Sequence, residues 1–191
     1  KTRYCLNQLK SKIEKGAAHP LILLVPEQYT HQAEKDLITL LGTGGVLGTR
    51  VLSFRRLAFR VFNEAGGITY PHLHPAGKCM IIYRLLDKMK DSLTVFSRSA
   101  DCQGFVNTLA DLITEFKQHC ITPEDLATVA EEMGEEDPLG DKLLELNSLY
   151  AAYEETIKTR FRDGDDDLSL AAAKIDDTSL FDGAEIWIDG F

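Results

Sequence analysis

Hydrophobic positions follow two spacings along the chain, and the change from one to the other divides it. Leu21-Ile22-Leu23-Leu24-Val25 is apolar at every position, after which Pro26-Glu27-Gln28 turns polar at once. A run without alternation predicts a strand covered on both faces, the mark of a parallel strand between helix layers. Near the other end, Ala184-Glu185-Ile186-Trp187-Ile188-Asp189-Gly190-Phe191 predicts a second strand that carries an aspartate to its tip. Ligands of open parallel sheets gather beyond the carboxyl ends of the strands, so Gln28 and Asp189 are both expected at the working edge.

The remaining pattern is helical. Cys5, Leu9 and Ile13 recur at four-residue spacing beside Leu6, and Gly16 follows as a C-cap, so Lys1 to Lys15 should be a helix with its apolar face on the sheet. Tyr29 to Leu41 carries a stripe of Ala33, Leu37, Leu40 and Leu41 ended by Gly42, and the glycine-rich stretch 42–48 reads as a loop. Arg50 to Phe54 predicts a short strand. A helix from about Arg55 to Ala65 then turns Leu57, Ala58, Val61 and Phe62 inward and stops at Gly66-Gly67. From about Leu73 the pattern is helical only. Ile81 to Met89 and Phe105 to Phe116 mark two helices, Thr122-Pro123 opens a third, and about Asp141 to Arg162 is the longest. A short helix around Leu168 to Lys174 leads back to the final strand. The expected architecture is α/β, with a parallel sheet flanked by helices over 1–72, an inserted all-helical subdomain over 73–176 and a return strand over 177–191.

Composition adds little to this and removes several alternatives. At 191 residues, 44% hydrophobic and 27% charged, the chain can bury a real core and is neither fibrous nor disordered stock. No apolar run approaches membrane-spanning length and the N-terminus lacks the apolar segment of a signal peptide, so a soluble protein is expected. Four cysteines lie far apart without a Cys-x-x-Cys pair, the pattern of reduced thiols in a cytosolic protein. The chain starts at Lys1-Thr2 without methionine and stops at Phe191 directly after a strand, as a piece of a longer protein would.

Charge changes the picture more. The net charge is −9, yet between Leu37 and Asn63 there is no Asp or Glu while Arg50, Arg55, Arg56 and Arg60 stand in that stretch. A local basic face can meet phosphate in an acidic protein. By contrast, Glu131 to Asp137 is acidic and expected to be solvated. His72-x-His74 with Cys79 offers too few ligands for zinc and reads as a surface loop. Asp163-Gly164-Asp165-Asp166-Asp167 has its glycine in the wrong place for a calcium loop, and Lys174 stands where the closing glutamate belongs, so a helix-capping acidic turn is expected. By pattern alone Phe54, Phe59 and Phe191 read more readily as core aromatics, the arginines as a solvated helix face and Gln28 as plain loop.

Several stretches together resemble one family. Lys1-Thr2, Leu23-Leu24-Val25-Pro26-Glu27-Gln28, Val51-Leu52-Ser53-Phe54-Arg55-Arg56-Leu57-Ala58-Phe59-Arg60-Val61, Phe116-Lys117, Ile121-Thr122-Pro123-Glu124-Asp125-Leu126 and Ile186-Trp187-Ile188-Asp189-Gly190-Phe191 are similar, in order and spacing, to the N-terminal part of AddB (RexB-like) subunits of bacterial helicase-nucleases. The Val-Pro-Glu-Gln and Asp-Gly-Phe stretches are the most specific. The resemblance implies a P-loop NTPase, superfamily 1 helicase-like domain in a cytoplasmic complex with an AddA-like subunit, which unwinds and resects double-strand breaks and responds to Chi hotspots. It also places the nuclease centre and an iron-sulfur cluster in a C-terminal region outside this chain.

The same resemblance assigns residues. Lys1 and Thr2 would be the end of a phosphate-binding loop, whose lysine reaches terminal phosphates and whose hydroxyl binds magnesium, with Asp189 positioning Mg2+ at an ATP site. Active motors follow that aspartate with a glutamate that activates water, whereas Gly190 stands here, which implies a weak or vestigial nucleotide site and no motor. Gln28, Thr30, Ser53, Phe54, Arg56, Phe59 and Phe191 fall in stretches that resemble the surface reading a DNA single strand. Aromatic rings stack on bases, an arginine fork fits guanine or phosphate, and glutamine pairs with an adenine edge. The alternatives are an ATP-hydrolysing translocase domain and a scaffold for the partner subunit.

Overall fold

The computed structural model describes residues 1–42, 48–67, 69–133 and 137–191. The expected glycine loop therefore lies almost wholly outside the described residues, as does part of the acidic stretch 131–137.

The apolar run forms strand β1 (Leu21–Leu24), and every residue from Leu21 to Val25 is buried. It is the middle strand of a three-stranded parallel sheet, between β2 (Thr49–Leu52) and β3 (Glu185–Ile188). Leu21 stands opposite both Thr49 and Glu185, and Leu24 opposite both Leu52 and Ile188, so the three strands are level. Side chains alternate across a strand. Leu21, Leu23 and Val25 accordingly pack with Cys5, Leu6 and Leu9 of helix α1 (Thr2–Glu14) and with Ala33 and Leu37 of α2 (Thr30–Leu41). Ile22, Leu24 and Leu52 take the opposite face with Leu57 and Phe181. Burial on both faces, about 1.5–3 kcal/mol for each large aliphatic side chain, explains the absence of alternation in the sequence. On β3, by contrast, Ile186 and Ile188 are exposed.

Helix α3 (Phe54–Ala65) begins at Ser53, whose hydroxyl accepts the Arg56 N–H, and buries Ala58, Val61 and Phe62. The short α8 (Asp167–Ala173) adds Ala171 to that cluster. The described chain separates into two compact units, one of residues 1–68 with 167–191 and one of residues 69–166. Grouped by pattern with the helical block, α8 thus lies with the sheet, because its small apolar face is matched to α3.

The second unit is built from α4 (Pro75–Met89), α5 (Gln103–Gln118), α6 (Pro123–Met133) and α7 (Pro138–Ile157) around Ile82, Leu86, Val106, Leu109, Ile113 and Tyr153. Helix α7 starts before the expected Asp141, since Asp137 accepts the Leu139 N–H at 2.8 Å and Pro138 takes the first helical position. It also ends before Arg162. There the backbone is extended instead, with the Leu73 N–H donating to the Arg162 carbonyl at 2.8 Å and the Arg162 N–H to the Pro71 carbonyl at 2.9 Å. His72, expected in a plain loop, pairs its imidazole with the Arg162 guanidinium across this bridge.

A buried ionic cluster closes the helical unit. Lys78 reaches Asp165 and Thr114 at 2.8 Å and Asp163 at 3.2 Å; Lys117 reaches Glu154 at 2.6 Å and Asp166 at 2.7 Å. Tyr153, fully buried, donates its hydroxyl to Asp163 at 2.7 Å. Burial opposes the Lys117 charge, but hydrogen bonds to Asp166 and Glu154 outweigh it and raise its pKa. Burial lifts Glu154 and Asp166 above the usual carboxylate range, whereas Asp163, despite burial, is held below it by Tyr153 and the two lysines. The acidic turn thus does more than the capping expected of it, and its carboxylates are the counter-charges of two lysines that the pattern leaves unassigned.

Among the described residues no helix is long and apolar enough to cross a membrane, and no group of three or more His, Cys, Asp or Glu side chains is arranged to hold a metal.

Candidate nucleic-acid interface

Because the three strands are parallel and level, their carboxyl ends open on one edge. β1 delivers Pro26 and a 3-10 turn, Glu27–Tyr29, that leads into α2. β2 delivers Ser53 and the first turn of α3, and β3 delivers Asp189, Gly190 and Phe191. Helix α1 runs the opposite way. Near its end Lys12 meets Glu185, the first residue of β3, at 2.7 Å, a carboxylate also held by His19 at 2.7 Å. From Lys12 back to Thr2 the helix spans about 15 Å, close to the about 13 Å of β3.

Lys1 is exposed and is the N-cap of α1, its carbonyl accepting the Tyr4 and Cys5 N–H groups at 3.0 and 3.2 Å; Thr2 is the first helical residue. Asp189 is 2% exposed, and its backbone N–H donates to the Leu24 carbonyl at 3.0 Å. Tyr29 senses it: burial first, then Asp36 and Asp189, push the Tyr29 hydroxyl pKa up. Gly190 has φ of +89°, and a Cβ there would sit 3.0 Å from the Pro26 ring, so this position accepts only glycine without displacement.

The aromatic residues are not core. Phe54 is 41%, Phe59 56% and Phe191 63% exposed, and Phe54 and Phe191 face each other with centroids 5.2 Å apart at a 57° tilt. Two strand ends therefore present one exposed aromatic pair, with Phe59 about 8 Å further along α3. Gln28 is exposed on the neighbouring turn. Thr30 and Ser53 are buried and used internally. The Thr30 hydroxyl donates to the Glu27 carbonyl at 2.9 Å, and the Ser53 hydroxyl donates to the Glu27 carboxylate while it caps α3. Arg56, half-exposed, faces Glu27 at 3.7 Å and Glu34 at 3.5 Å. Pattern and spacing do not single out Glu27 or Glu34. Glu27 sits inside the Val-Pro-Glu-Gln stretch, but its link to Ser53 spans two loops and leaves no local signature.

The family model described as "ADDB, N-terminal" matches residues 1–191. Similar curated proteins are each named as the B subunit of an ATP-dependent helicase/deoxyribonuclease. Those of Acetivibrio thermocellus, Ruminiclostridium cellulolyticum and Clostridium botulinum strain Loch Maree are 64%, 51% and 45% identical over 191 residues. In each case all of this chain is covered, and the chain spans 17% of the relative's length. The resemblance drawn from the Val-Pro-Glu-Gln and Asp-Gly-Phe stretches holds from end to end, and the chain belongs to the AddB N-terminal family.

Proposed function

We propose that the chain is the helicase-like N-terminal part of an AddB-type subunit in an ATP-dependent DNA helicase-nuclease for double-strand break repair and recombination. Its strand-end edge holds the unwound single strand and contributes to Chi hotspot recognition without driving translocation. The observation that carries the reading is the exposed Phe54–Phe191 pair, with Arg56 in the same first turn of α3 and Gln28 exposed on the turn after β1. Apolar rings held in solvent at the carboxyl edge of a parallel sheet are surfaces for flat ligands, and unstacked bases are such ligands. Arginine and glutamine add forks for base edges, while Thr30 and Ser53 shape the loops that hold them.

The P-loop NTPase layout is part of this proposal. In its favour, α1 opens at Lys1-Thr2 and its last turn meets the start of β3, which would set the two residues near the strand end that Asp189 follows, and a hydroxyl with a carboxylate is the oxygen donor set that suits magnesium. The base that an ATP-driven motor needs after that aspartate is lacking, and any side chain at Gly190 would crowd Pro26 and strain a backbone of positive φ. Lys1, Thr2 and Asp189 therefore bind ATP and Mg2+ weakly or vestigially. Power comes from an AddA-like partner, and the complex works in the cytoplasm, where its cysteines stay reduced.

Arg56→Ala and Gln28→Ala in the intact complex are expected to weaken binding of a preferred single-strand sequence by about 1–3 kcal/mol each, leaving binding of other sequences nearly unchanged. Equilibrium binding to a panel of oligonucleotides checks this. Unchanged affinity and preference in both variants would return these residues to a structural role, and brisk DNA-stimulated ATP turnover by the AddB-type chain alone, lost on Lys1→Ala, would favour a translocase.

A further inference from the structure

We infer that Glu27 is a positioning residue that makes this edge select bases over phosphates; the inference rests on the single-strand function proposed for the edge. Left to themselves, an arginine beside the N-terminus of a helix makes a phosphate site, because the helix end carries partial positive charge and free N–H groups. Here that site is already neutralised from within. The Glu27 carboxylate takes the hydroxyl hydrogen of Ser53, and Ser53 in turn accepts the Arg56 N–H at 3.2 Å, so one acid is tied into the cap of α3. Its other oxygen faces the Arg56 guanidinium at 3.7 Å, and Glu34, one turn into α2, faces the same guanidinium at 3.5 Å.

Two consequences follow. The guanidinium is bracketed by two carboxylates, and a strand's phosphates meet local charge that is no longer positive. Unsatisfied donors of Arg56 still project toward solvent, since its side chain is 48% exposed, and neutral groups rich in acceptors, such as the edge of guanine, can use them. The same first turn of α3 carries Phe54, which with Phe191 stacks bases whatever their sequence. Stacking supplies general affinity, and the bracketed arginine adds discrimination. Glu27 also ties the turn after β1 to the start of α3, so Gln28 and Arg56 keep one spacing.

The test uses the intact helicase-nuclease complex carrying Glu27→Gln or Glu34→Gln and measures affinity for single-stranded oligonucleotides of several sequences from low to high salt. Each substitution releases Arg56 to phosphate. The expected result is tighter binding of all sequences at low salt, with log Kd against log salt steeper by about 0.7, the value for one added phosphate contact on a single strand. The spread of affinities between best and worst sequence should shrink from about 5- to 150-fold toward unity in Glu27→Gln. Glu34→Gln, a change at a half-exposed side chain that makes no hydrogen bond to the cap, guards against a folding defect and should steepen the slope without closing the spread. Slopes unchanged in both variants, or uniform weakening at constant slope, overturn the inference, the latter by making Glu27 a mere support. A wild-type complex whose affinity ignores Arg56→Ala and Phe54→Ala fails the single-strand reading itself, a result separable from failure of Glu27 alone.

Discussion

Replacing Lys117 with methionine is expected to destabilise this chain by about 3–5 kcal/mol, the loss found when one member of a buried ion pair is removed and its counter-charges remain. The ammonium is buried between Glu154 at 2.6 Å, Asp166 at 2.7 Å and Asp163 at 3.6 Å, and methionine fills the space of the stem but not the charge. Urea titration followed by circular dichroism measures it. The pH dependence adds a sign. Glu154 and Asp166 already have raised pKa values, chiefly through burial, so protonation favours the folded chain for both. Without the lysine these values rise further. The deficit of the variant should therefore shrink as pH falls from 7 toward 5, while in the wild type Asp163, with its lowered pKa, stays ionised through that window and loses its contribution only below the ordinary aspartate range. A deficit independent of pH would show that the carboxylates are not left uncompensated.

Phe54→Ala should lower the affinity of the intact complex for single strands by about 1–3 kcal/mol, roughly 5- to 150-fold, whatever the base sequence. Its ring is exposed, so the change opens no cavity in the core and stability should move little. Phe191→Ala should do the same. The two rings touch, with centroids 5.2 Å apart, so the double variant should lose less than the sum of the two, as for one stacking platform. Fluorescence anisotropy with a labelled oligonucleotide reads all three. Additive losses would mean two separate contacts, and no loss would remove the rings from the interface.

Much of the sheet unit was legible because its determinants are local. Leu21 to Val25 could only be a strand covered twice, and Gly16, Gly42 and Gly66 end their helices where glycine tolerates positive φ. The edge was legible through topology, since parallel strands put Gln28 and Asp189 on one side. Exposure was not. Phe54 and Phe191 are residues of core type, and only the fold brings them together in solvent. The partners of Arg56 were hidden for a related reason: Glu27 and Glu34 lie more than twenty positions away, and no periodicity links them. Lys78 and Lys117 fall on otherwise apolar helix faces, where a lone lysine leaves no mark of its own. An acidic run at 163–166 without evident cations was the available sign that lysines had to be buried nearby.

The most direct measurement is photo-cross-linking from this edge. With a benzophenone side chain placed at position 54, 59 or 191 of the intact complex, irradiation during unwinding of a labelled duplex should join the AddB-type chain to the released single strand from all three positions. Efficient unwinding without a cross-link from any of them would contradict the assignment of this edge to DNA.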